Sequence, residues 1–141
     1  MQRPASIVTF ELSYLAALVL GIANTILNWS HTQAMPPVQR ANEQLGTWFA
    51  PTVSALGYVV PIVLLFCVAR RGSVIAKWIV TLFAAMAALS LLYGLLTGTF
   101  VSTLAAAIAV AATALNLFAA SRLFRSDTRA WFGEDLGETD A

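Results

Sequence analysis

Residues 78–121 read WIVTLFAAMAALSLLYGLLTGTFVSTLAAAIAVAATALNLFAAS, 44 residues without one Lys, Arg, Asp or Glu. An uncharged apolar run of roughly 18 residues already suffices for a bilayer-spanning helix. This run is too long for one crossing, because at 1.5 Å per residue it would measure about 66 Å, roughly twice the hydrocarbon thickness. The chain must therefore turn inside it. The segment GLLTGTF at 94–100 supplies the turn chemistry through Gly94, Thr97, Gly98 and Thr99. Two spans are predicted on either side, at about 74–96 and 100–123.

Two further spans lie upstream. Gln44 to Ala69 is also free of Lys, Arg, Asp and Glu, which predicts a span at about 47–69. Pro51 falls in its first turns and Pro61 near its centre, where a proline removes one backbone bond and bends the helix. The stretch SIVTFELSYLAALVLGIANTILNW predicts the first span, about 7–29, ending in Trp29 at headgroup level. Thr32-Gln33-Ala34 has the small residues of a signal cleavage site. The apolar stretch ahead of it, however, exceeds the roughly 7–15 residues of a signal core and opens on Glu11, so it is expected to stay as a span.

The predicted fold class is all-α: one polytopic domain over 1–141, four transmembrane helices in an up-down bundle, and a tail at 124–141. Composition agrees. Of 141 residues, 59% are hydrophobic and 11% charged, with a mean hydropathy of +0.77, whereas soluble domains carry about 25% charged residues. Arg3, Arg70, Arg71, Lys77, Arg122, Arg125 and Arg129 fall on one side of a four-span chain, and only Arg40 on the other. The positive-inside rule then places both termini in the cytoplasm.

Between the first two spans, SHTQAMPPVQRANEQLG is polar, and its Pro36-Pro37 pair suits a helix start. Val38, Ala41, Leu45, Trp48 and Thr52 follow at helical spacing, predicting an amphipathic lead-in on the membrane surface. In the tail, Ser126 or Asp127 could cap a turn that Gly133 stops, laying Trp131 and Phe132 on the membrane surface. The last, acidic residues are expected to be disordered.

Chemistry is sparse. One cysteine, Cys67, and one histidine, His31, leave no intrachain disulfide and no Cys/His metal cluster. Cys67, inside an apolar run, reads as a small buried residue, and His31 as a solvated loop residue. No catalytic motif, cofactor loop or metal-ligand spacing is present, so neither an enzyme nor a cofactor is expected. The basic residues are explained by topology, which argues against nucleic-acid binding.

Two constellations stand out. Glu11, Leu15, Leu18, Ile22 and Thr25 form one stripe of the first span, with Tyr14, Gly21 and Asn28 alongside. At the depth of Glu11 the same leaflet should hold Lys77, Asn116 and Arg122. Ionisable groups in spans usually face partners in the bundle. The expected polar cluster is therefore Glu11, Lys77, Asn116 and Arg122, read first as an ion pair that fixes packing and second as a proton- or cation-coupling site. Asn24, Thr25 and Asn28 read as interhelical hydrogen-bonding residues, with an outer polar vestibule as the alternative. The other constellation is Ala105, Ala109 and Ala112, one small-residue face of the last span. Such a face lets helices approach closely, either within the bundle or against another subunit.

With RPASIVTFELSYLAALVLGIANTILNW, ARRGSVIAKWIVTLF and RLFRSDTRAWF in view, the chain resembles small uncharacterised four-span inner-membrane proteins of sphingomonad-type alphaproteobacteria. The resemblance covers nearly the whole chain and implies a bacterial inner-membrane location, with no activity attached. A second likeness is to small multidrug-resistance transporters, four-span proteins whose first-span glutamate lies deep and binds protons and cationic drugs. Here Glu11 sits near the start of its span in TFELSY, and that family's aromatic pattern in span three is not evident. The seven-to-one basic bias also argues against the dual topology that some of those transporters adopt.

The expected function is that of a non-catalytic structural or accessory membrane subunit, with the lipid bilayer, itself or another membrane protein as partner. A small transporter using Glu11 is the alternative. Leu15, Leu18 and Ile22 separate Glu11 from Asn24 with apolar side chains, which favours the accessory reading.

Overall fold

The computed structural model describes residues 3–134, and these form an all-helical bundle. Helices α1 (Ala5–Leu27), α4 (Phe49–Arg71), α5 (Val74–Thr97) and α6 (Thr103–Arg122) are each long and apolar enough to cross a membrane. Two short helices, α2 (Trp29–Ala34) and α3 (Pro36–Leu45), connect α1 to α4, and two 3-10 turns, Ser126–Thr128 and Ala130–Phe132, follow α6. The limits of these four helices lie within about three residues of the limits predicted for the spans.

The turns follow from local chemistry. The chain leaves α4 through Gly72 at φ +58° and α5 through Gly98 at φ +64°, left-handed positions that glycine adopts without a Cβ penalty. Ser73 then caps α5 and Ser102 caps α6, their hydroxyls accepting from the N–H groups of Ala76 and Ala105. Within the 44-residue run, Gly98 makes the bend, while Gly94 stays helical and is buried. The lead-in to α4 differs from expectation. Gly46, at φ +97°, ends α3, so Trp48 and Thr52 belong to α4 and its cap rather than to one continuous amphipathic helix.

The four long helices form a ring in which α1 packs most closely on α6, α5 next on α6, and α4 more loosely on α1 and α5. Most large apolar side chains face outward: Leu96 is 78% exposed and Leu89 66%. An exposed apolar surface of this extent suits a multi-pass membrane protein, whose outer solvent is hydrocarbon. One end of the bundle holds both described termini and the α4–α5 turn, and is called the terminal end. The other holds α2, α3 and the α5–α6 turn, and is called the loop end.

The main hydrophobic core lies at the terminal end. Ile7, Phe10 and Tyr14 of α1 meet Leu64 and Val68 of α4, Val80 of α5, and Ala119 and Leu123 beside the end of α6. The tail closes this core from below. Phe132 is buried within it, and the Trp131 indole donates to the Val68 carbonyl at 3.0 Å, one of the carbonyls that the end of α4 leaves without an intrahelical partner. Phe132 is thus tucked into the core, and Trp131 lies half-buried against the end of α4, where an orphan carbonyl is within its reach. Asp127 caps a different helix from the one expected. Its carboxylate accepts from the Ser6 N–H at 3.2 Å, supplying α1 with the cap that Pro4 lacks. Gly133 does stop the tail turn, at φ +69°. The acidic residues expected to be disordered, 135–141, lie outside the described residues.

Candidate functional site

The expected cluster of Glu11, Lys77, Asn116 and Arg122 is not assembled. The Glu11 carboxylate accepts from Arg3 Nη1 at 2.8 Å and lies 3.6 Å from Arg70 Nη2. Arg3 lies about two turns before Glu11 in the chain, and Arg70 stands at the end of the adjacent α4. Lys77 is 4% exposed and pairs with Glu134 at 2.8 and 3.1 Å. Its ammonium also sits 4.7 Å from the Phe124 ring centroid and 4.8 Å from that of Phe132, a favourable position for a cation. Arg122 lies over the Phe118 ring at 4.3 Å. Asn116 points into the space between the helices instead. Glu11–Arg70 and Lys77–Glu134 therefore link separate elements at the terminal end, while Arg122 stays on its own helix. Arg3 and Arg70 both fall on the same side of the predicted four-span chain as Glu11, which is the signal that could have found them. The tail's claim on Lys77 had no sequence signal.

At the loop end the ring opens. A cavity of about 620 Å³ runs from Asn24, Thr25 and Thr99 down to Asn116, with Ser90, Tyr93 and Thr113 among its polar walls. No Lys, Arg, Asp, Glu or His lines it among the described residues. The wall between α1 and α4 is held by a relay. Tyr58 donates its hydroxyl proton to the Gly21 carbonyl at 2.9 Å, so the hydroxyl of Thr25, also in contact, donates to the Tyr58 oxygen. Phe100 lies over the α5 end because Gly94 has no side chain: a Cβ there would sit 2.9 Å from the ring. Asn24 and Thr25 thus line an open polar vestibule, the second of the two readings from sequence, while Thr25 also makes the interhelical hydrogen bond that the first reading expected. Asn28 does not line it. Its amide donates back to the Asn24 carbonyl and side-chain oxygen at 2.8 and 2.9 Å, closing the end of α1.

The alanine face of α6 points inward. Ala105 is buried, and Ala109 and Ala112 line the loop-end cavity. These small side chains make room between helices.

A second cavity of about 430 Å³ adjoins the first at mid-bundle and shares Leu18, Ala87 and Asn116 with it. Gly57, Val60 and Pro61 of α4 face Phe83, Ala84 and Ala87 of α5 across it, and Tyr14 and Asn116 are its only polar side chains among the described residues. Pro61 has no N–H to give the Gly57 carbonyl, so α4 is locally weakened at this gap. Below both cavities lies the close-packed terminal core. The arrangement can hold a molecule by hydrogen bonds and apolar contact. It offers no nucleophile beside a base, and no group of three or more His, Cys, Asp or Glu residues capable of holding a metal among the described residues. Compared with known proteins, the chain matches no family model, no curated protein and no solved structure.

Proposed function

We propose that this is a non-catalytic accessory protein of a bacterial inner membrane, with both termini in the cytoplasm, and that its working part is the binding cavity at the loop end. The observation that carries this reading is the contrast between the two ends. An uncharged polar cavity enters from the loop end and stops on a core in which Phe10, Val68 and Leu123 are fully or almost fully buried. A blind cavity suits binding, whereas permeation needs a continuous polar path. Its partners are the bilayer and a neighbouring membrane component. The transporter alternative requires Glu11 to exchange protons or cations along such a path. That carboxylate is engaged by two arginines and separated from Asn24 by apolar turns of α1, which supports the accessory reading instead.

Single-cysteine variants in a Cys67→Ala background test the proposal. An impermeant maleimide applied to intact cells should label Thr99→Cys and Ser90→Cys, and Ala119→Cys should resist it from both faces of the membrane. Reporter fusions near Gln39 and Thr97 should report outside, and one at Gly72 inside. Labelling of Ala119→Cys, or a pH-dependent flux in proteoliposomes that Glu11→Gln abolishes without loss of stability, would replace binding with transport.

A further inference from the structure

We infer that the two adjoining cavities form one site for an uncharged amphiphile, its polar end in the loop-end cavity and its chain passing Asn116 into the gap between α4 and α5. The inference rests on the reading of the loop-end cavity as a working site, and it specifies the chemistry of the occupant. Three observations carry it.

The first concerns charge. No ionisable side chain other than tyrosine lines either cavity among the described residues. A carboxylate, phosphate or ammonium placed there would lose its hydration without gaining a counter-ion, which is strongly unfavourable in a low-dielectric site. The second concerns polarity. Ser90, Thr113 and Asn116 hydrogen-bond to no other side chain among those described, and all three face the larger cavity. A purely apolar occupant would leave these groups unpaired, so the occupant must bring donors and acceptors of its own, such as hydroxyls or an ester. The third concerns the second compartment. It is almost wholly apolar, lies between two loosely packed helices, and has open space beside Gly57, where a Cβ would meet nothing within 4 Å. A chain leaving the polar cavity past Asn116 has this gap as its apolar continuation. The two volumes, about 620 and 430 Å³, each fall within the roughly 300–1,000 Å³ of small-molecule sites.

The test uses the full chain in phosphatidylcholine nanodiscs and three photoactivatable probes with the same diazirine-bearing acyl chain. One is a monoacylglycerol, one the free fatty acid as its carboxylate, and one a trimethylammonium. The monoacylglycerol should label saturably, at peptides containing Gly57–Pro61 or Phe83–Ala87, and at least about tenfold more strongly than either charged probe. Gly57→Leu, which fills the gap, should abolish saturable labelling, and Asn116→Leu should reduce it about tenfold. Leu117→Ala, on the outward face, should leave it unchanged. Equal labelling by all three probes, or labelling indifferent to both cavity variants, overturns the inference. The head-group comparison needs no variant, so it decides even where Gly57→Leu fails to fold. Maleimide access to Ser90→Cys separates the two levels. If access is retained without head-group preference, only the occupant is wrong. If access is lost, the cavity reading itself fails.

Discussion

Replacing Gly72 by alanine tests how firmly the tail is bound, and Gly98 provides its internal control. Both glycines sit at nearly the same left-handed angle, φ +58° and φ +64°. An L-residue at either position costs about 1–2 kcal/mol from backbone sterics alone. The surroundings differ. A Cβ at Gly98 would meet nothing within 4 Å, whereas one at Gly72 would collide with the Trp131 carbonyl oxygen. That contact is with backbone and cannot be relieved by a rotamer change, so the tail must move. The clash can cost no more than tail docking contributes, because the tail is free to leave. Docking buries the Phe132 side chain, about 1.5–3 kcal/mol, and gives the Val68 carbonyl a donor, about 1 kcal/mol. Gly98→Ala should therefore lose about 1–2 kcal/mol and Gly72→Ala up to about 3.5–6 kcal/mol. Chemical denaturation in mild micelles measures both. Chymotrypsin supplies a second readout, since Phe132 is buried while docked and should be cut readily only in Gly72→Ala. Equal losses in the two variants, with Phe132 protected in both, would refute the docked tail.

Three further outcomes are expected. Double-mutant cycles should couple Glu11→Gln to Arg3→Gln more strongly than to Arg70→Gln, and not at all to Lys77→Gln or Arg122→Gln; because these side chains are partly exposed, the larger coupling should be only about 0.2–1 kcal/mol. The bond from Ser6 holds the Asp127 carboxyl below its ordinary 3.8, so its contribution is complete above that value and is lost as pH falls through the lowered one; Asp127→Asn, followed by hydrogen exchange at Ser6, should remove this acid sensitivity. Ala109→Leu should leave the oligomeric state and insertion unchanged while reducing maleimide access to Ser90→Cys, because Ala109 faces the cavity; a change of oligomeric state with access retained would place that face between subunits.

The number and limits of the long apolar helices were legible because uncharged length and glycine position are one-dimensional properties. A 44-residue uncharged run cannot cross once, and the glycine it bends at was among the four residues marked for the turn. Rotation of each helix about its axis was much harder to read. Lipid and core are both apolar, so a helix such as α6 carries alanine on several faces and shows little preference for an inward side. For the same reason neither the partner of Glu11 nor the cavity beside Ala109 could be placed. The bond from Trp131 to Val68 was not legible, because an amphipathic aromatic suits a headgroup region as well as an orphan carbonyl. Only the end of α4 in three dimensions distinguishes the two.

The cap that Asp127 places on Ser6 joins residues 121 positions apart, and the closest helix pair joins the first span to the last. During synthesis α1 therefore reaches the bilayer long before its main neighbour or its cap exists, and its apolar stripe must be content with lipid in the interval. Assembly of the terminal end is consequently a late event, completed by the segment that follows α6. A chain interrupted before residue 127 would insert all four helices and still leave the first of them unfinished.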